Sequence, residues 1–256
     1  MIGGNPSLGR LGRIREAGGE VPIEQRATYK GIAIKSVYFV LITFVTAVAC
    51  FFGLYFFVDI YYQFNLILGL LIGAGIVSFI LAMVAIFNPS ATKVCGSIYA
   101  VLQGFVMGFT ALMLTSLGFG GEVMAALLAT IGVFLIMMVL YATGVIRVGS
   151  GFRKFMISAV LGLVFINLIM FVVALIVPSM WQLFFGNSFL SIAISGVMVI
   201  VASLMILLDL KRMTMIVQAG LDKRYEWVAS FGLLVTLIWL YMELVRLFVL
   251  ISSRRS

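Results

Sequence analysis

Any chemistry this chain performs must rest on very few ionisable side chains set in apolar sequence. Asp209 stands in ILLDLKRM and Glu243 in LIWLYMELVRLF. A carboxylate in hydrocarbon costs several kcal/mol unless it is paired, protonated or in contact with water, so both are candidates for function. Each also has a simpler explanation. Arg212 follows Asp209 by about one helical turn, and Arg246 follows Glu243 in the same way, so local ion pairs would account for both acids. Arg246 would then reach along its apolar stem toward the membrane surface. Both explanations are open at this level. Asp59 and Glu122 fall in short gaps between apolar runs and read as solvated.

The absences narrow the chemistry further. The chain has no histidine, which removes Ser-His hydrolysis, His-ligated haem and the usual zinc sites. Cys50 and Cys95 stand alone in separate apolar runs and read as small buried residues. No phosphate-binding glycine loop follows a strand, and an aspartyl protease would need a second deep Asp beside Asp209. We therefore expect no enzyme and no cofactor. The net charge of +8 does not point to nucleic acid, because the basic residues border apolar runs and face lipid headgroups.

The elements that must position these acids follow from composition. The sequence is 64% hydrophobic and 10% charged, far outside the range of soluble domains. Charge-free runs cover 36–58, 60–92, 94–121, 123–146 and 155–208, and a last apolar stretch lies near 227–251. About 20 helical residues cross a ~30 Å hydrocarbon core, so the run 155–208 must cross twice. Its turn is expected at 178–187, where Pro178, Gly186 and Asn187 break the helix and Trp181 suits the interface. The expected fold is all-α: a polytopic bundle of seven transmembrane helices.

Lys and Arg occupy every second gap between these runs. The N-terminal tail holds Arg10, Arg13, Arg15, Arg26, Lys30 and Lys35. Later basic gaps hold Lys93, then Arg147, Arg153 and Lys154, then Lys211, Arg212, Lys223 and Arg224. The intervening gaps near 59–63, 118–122 and 178–188 have neither. Retention of cationic loops on the cytoplasmic side produces this alternation, which puts the N-terminus inside. We divide the chain into a flexible basic tail at 1–32, a membrane domain at 33–251 and a short tail at 252–256. Seven full spans put that last tail outside despite Arg254 and Arg255; a re-entrant last segment would return it. GxxxG steps at Gly69–Gly73 and Gly104–Gly108 read as close helix contacts inside a monomer in preference to a dimer face.

The C-terminal third, LLDLKRMTMIVQAGLDKRYEWVASFGLLVTLIWLYMELVRLF, resembles the closing segment of the Bax inhibitor-like proteins, in particular their bacterial branch. LYATGVIRV at 140–148 and the Asn88-Pro89 turn are also similar to that branch. The resemblance implies a multi-pass protein of the bacterial inner membrane, and a pH-sensitive leak for a cation, in particular calcium. It assigns the ion pathway, the pH sensing and a weak, transient calcium site to acids near the end of the sixth helix and in the seventh, here Asp209 and Glu243. Two such carboxyls held close share a proton, titrate as a unit, and when ionised offer hard oxygen ligands to a divalent cation. They would meet only if residues 211–226 form a separate interfacial segment or the last helix is broken. Glu226, nearer in depth to Asp209, is the alternative partner. Lys211 stands where many members of the branch have a second acid, and its charge would repel a divalent cation. Glu226, Lys211, Arg212 and Arg246 are thus possible modulators. The resemblance equally permits a non-conducting protein that regulates a membrane protease or a stress response.

The alternation of basic gaps makes a direct prediction. Reporter tags inserted at residue 150 read cytoplasmic and tags near residue 120 read external; the opposite pattern overturns the orientation.

Overall fold

The computed structural model describes residues 22–57, 60–146, 148–177, 186 and 188–254. Seven helices follow in order: α1 Tyr29–Phe57, α2 Ile60–Phe87, α3 Thr92–Ser116, α4 Gly120–Ala142, α5 Ser150–Ile176, α6 Phe189–Gln218 and α7 Arg224–Ser253. All seven are long and apolar enough to cross a membrane. Among the described residues there is no strand beyond one isolated bridge, so the all-α seven-span class holds. The run 155–208 divides into α5 and α6 as its length requires, while most of its turn, including Pro178, Trp181 and Asn187, lies outside the described residues. Asp59, Arg147 and the arginines at 10, 13 and 15 also lie outside them.

The tail boundary at 32 needs correction. Residues Ile23–Gln25 form a single 3-10 turn, and α1 already begins at Tyr29. The reason is a cap: the Thr28 hydroxyl accepts from the Gly31 N–H at 3.0 Å, satisfying one of the helix's first donors. At the other end, α7 runs on to Ser253.

The helices fall into two compact units. The first takes the chain up to Met113 together with Asp209–Val235. Its packing is set by a stripe of buried residues four apart on α3: Thr92, Gly96, Ala100, Gly104, Gly108 and Leu112. Such spacing sets each member next to the following one, in a row that winds slowly around the helix. A Cβ at Gly104 would meet the Thr43 carbonyl and sit 2.8 Å from Thr46 Cβ; one at Gly108 would meet the Ala47 carbonyl and sit 2.9 Å from Cys50 Cβ. The α1 and α3 backbones therefore touch, the close approach that drives helix association in lipid. Above that contact, Phe39, Trp227, Phe231 and Tyr99 make edge-on ring contacts with centroids 5.1 to 6.1 Å apart.

The second unit comprises Leu114–Leu208 and Thr236–Ser256. The Asn167 side chain on α5 donates to Leu163 O at 2.9 Å and lies 3.5 Å from Met198 Sδ on α6. The Ser252 hydroxyl at the end of α7 donates to Glu122 Oε1 in the first turn of α4 at 2.6 Å. In the first unit, Arg224 at the start of α7 donates to Ser90 Oγ at 3.4 Å, in the gap before α3. Each end of α7 is thus tied to another helix or gap within its own unit.

The other glycine step behaves differently. No described atom lies within 4 Å of where a Cβ at Gly69 or Gly73 would stand, so nothing among the described residues packs against that step. Spacing alone marks a small-residue face; whether a neighbour covers it is a tertiary fact. Gly104→Ala and Gly108→Ala are each expected to cost about 1–3 kcal/mol by overpacking. Gly69→Ala and Gly73→Ala should leave stability within about 0.5 kcal/mol or raise it. Thermal unfolding in detergent distinguishes the pairs, and equal effects at all four sites would contradict the packing described.

Candidate functional site

Three acids are buried in the described structure: Asp209 at 4% exposure, Glu226 at 2% and Glu243 at 8%. The protein compensates each in a different way.

Asp209 sits on α6 in the first unit. Arg212, one turn on, brings Nη1 to 4.0 Å from Asp209 Oδ1, with its own side chain 54% exposed. The pairing expected from spacing is therefore present, as a long contact with a guanidinium that reaches outward. A Cβ at Gly232 on α7 would stand 3.5 Å from that carboxylate and 3.2 Å from Arg212 Nη1, so this glycine gives the pair its space. Lys211 is half-buried beside it.

Glu226 opens α7, also in the first unit, where the positive end of the helix dipole favours an anion. Its Oε1 accepts from the Thr28 backbone N–H at 2.7 Å and lies 3.2 Å from the Thr28 hydroxyl. Its Oε2 pairs with the Lys35 ammonium, which also donates to the Lys223 carbonyl at 3.3 Å. A Cβ at Gly31 would collide with this carboxylate, so glycine is what lets α1 lie against it. The backbone reinforces the join: Ala27 N–H donates to Leu221 O at 2.7 Å and Lys223 N–H to Gln25 O at 2.9 Å, around the Arg26–Asp222 bridge. Gly220, at φ +61° just past the end of α6, turns the chain into this join in a conformation that suits glycine. Asp222 in the connecting loop caps α7. The Arg224 backbone N–H at 2.8 Å is the main influence holding that carboxyl below the usual range; burial opposes it, and the Arg224 side chain at 3.1 Å adds to the lowering.

Glu243 lies well inside α7, in the second unit. The Ser195 hydroxyl on α6 donates to its backbone carbonyl at 3.4 Å. Trp239, Ser195 and Arg246 are its polar neighbours, yet its Oε2 is buried with no hydrogen-bond partner. An unsatisfied buried oxygen of this kind is the exception in native proteins and asks for an explanation.

The sequence-predicted residues are therefore distributed over both units, with Asp209, Lys211, Arg212 and Glu226 in the first and Glu243 and Arg246 in the second. Neither condition for shifting their depths is met: α6 is continuous through Asp209 to Gln218, and α7 is unbroken from Arg224. Among the described residues, no three His, Cys, Asp or Glu side chains gather as a metal site would. Thr28, Gly31, Lys35 and Gly232 escaped sequence reasoning. An acid in the first helical turn is explained by the dipole alone, and nothing in the local sequence points to partners near the other end of the chain.

Seven apolar helices with buried acids define a multi-pass helical membrane protein. The chain belongs to the Bax inhibitor-like family: residues 9–253 match the family model described as Bax inhibitor 1 like. No curated protein and no solved structure matched in the comparisons made.

The Glu226 join yields a coupled prediction. Glu226→Ala is expected to cost about 3 kcal/mol or more, because it strands the Lys35 ammonium and two Thr28 donors. Gly31→Ala alone should cost about 1–3 kcal/mol, since its methyl displaces the carboxylate. In the Glu226→Ala background the same change should cost nothing, because the obstructing atoms are gone and alanine is the better helix former. Additive effects in unfolding experiments would contradict the geometry.

Proposed function

We propose that the protein is a pH-sensitive cation leak pathway of the bacterial inner membrane, with its N-terminus cytoplasmic and calcium as the permeant ion. The observation that carries this reading is the buried Oε2 of Glu243, on an apolar helix, which has no hydrogen-bond partner among the described residues. Such an oxygen is compensated by a proton, a cation or water, and exchange among these links ion passage to pH. Family membership supports it, since the resemblance puts the ion pathway at these two acids. Asp209 is the second candidate: its guanidinium partner is mostly exposed, so a cation could compete for the carboxylate. Calcium held by so few hard ligands would bind weakly, as release demands. Orientation has support of its own. In the first unit Lys35 and Lys223 meet at Glu226 and Arg224 meets Ser90, so basic gaps distant in sequence share one end.

Purified protein in liposomes loaded with a calcium indicator tests the reading. Wild-type flux should exceed that of protein-free vesicles and change with pH. Glu243→Gln should remove most of that pH response, Asp209→Asn should alter it, and Lys211→Asp should raise flux. Wild-type flux at background removes the leak and leaves the non-conducting regulator of a protease or stress response.

A further inference from the structure

Trp227, at the start of α7, is half-buried. Two ammonium groups from different helices approach its ring: Lys35 Nζ from α1 at 5.0 Å from the centroid and Lys93 Nζ from α3 at 5.5 Å. Arg224, one turn earlier on α7, reaches Ser90 beside them. Among the described residues, the ion pairs at this end of the first unit leave cations over. Glu226 compensates Lys35 and Asp222 compensates Arg224, but among the described residues Lys93 and Lys223 make no ion pair. Cation–π attraction holds each ammonium at the ring. It does not cancel the repulsion between them, which a single anion placed alongside would relieve.

We propose that Lys93 and Arg224, with Lys35 and the edge of Trp227, bind the phosphate headgroup of an anionic phospholipid. Arg224, with its side chain 63% exposed, offers a planar fork suited to two phosphate oxygens, and Lys93, whose ammonium lies at the Trp227 ring, is exposed. Basic pockets between transmembrane helices take such headgroups, and an indole at the boundary suits the same depth. The neighbouring side chains select lipid over free phosphate. Ile34 and Val94, adjacent in sequence to the two lysines, are 59% and 62% exposed, apolar surface that acyl chains would cover. The site is independent of the leak pathway and requires no titration.

The test is native mass spectrometry of the full chain offered equal amounts of phosphatidylglycerol and phosphatidylcholine. Wild type should retain phosphatidylglycerol preferentially, and Lys93→Gln and Arg224→Gln should each weaken retention about fivefold, the worth of one basic contact near a membrane surface. Lys154→Gln, an exposed cation in another basic gap, should change nothing. Unchanged retention in the first two variants, or an equal loss in the third, overturns the site. Inorganic phosphate should neither displace the lipid nor raise the unfolding temperature; if it does both, the site is for a free anion and the proposal is wrong. A further measurement needs no variant: brominated phosphatidylglycerol should quench wild-type tryptophan emission more than brominated phosphatidylcholine, and equal quenching would also overturn it.

Discussion

A membrane interior offers no water to an ion, so every charge placed there must find its compensation within the protein. That constraint organises this structure. Three acids are buried among the described residues. Glu226 is enclosed by a backbone N–H, a hydroxyl and an ammonium, all from the start of α1. Asp209 leans on an arginine that extends outward. Glu243 keeps one oxygen without a partner. The first arrangement fixes structure. The last leaves an oxygen without a hydrogen bond among the described residues, and the proposed function rests on it.

The Glu226 join has consequences beyond one ion pair. It fastens the segment before α1 to the loop between α6 and α7, the two helices that carry Asp209 and Glu243. A buried pair of this kind is a poor source of net stability but a strong source of definition, because breaking it leaves a charge uncompensated. Here it defines where α7 begins. The aromatic contacts of Phe39, Trp227 and Phe231 then carry that definition one to two turns along the helix. Lys35 and Lys93 meet the Trp227 ring as well, which gathers positive charge at one end of the first unit.

Much of the fold was legible in the sequence, because span length and apolar content follow from bilayer thickness and need no tertiary information. Seven helices, the split of the 155–208 run and the Asp209–Arg212 contact are all of that local kind. The site was less legible. Gly104 and Gly69 both open a GxxxG step, yet among the described residues only the first has a helix backbone against it; spacing names a face and not its neighbour. Glu226 could be seen as an acid at a helix start, but Thr28 and Lys35 are close to it only because α1 and α7 pack together. The tail boundary was set four residues late for a related reason: the Thr28 cap lies in polar sequence, where apolar periodicity gives no signal.

The central claim is that Glu243 is a membrane-buried carboxyl whose compensation changes with pH. Infrared difference spectroscopy of the protein in lipid, recorded across a pH titration, measures this directly through the carbonyl stretch of a protonated carboxyl. The account predicts a pH-dependent band in wild type that is missing in Glu243→Gln. A wild-type spectrum without such a band, or one that survives the substitution unchanged, would contradict it.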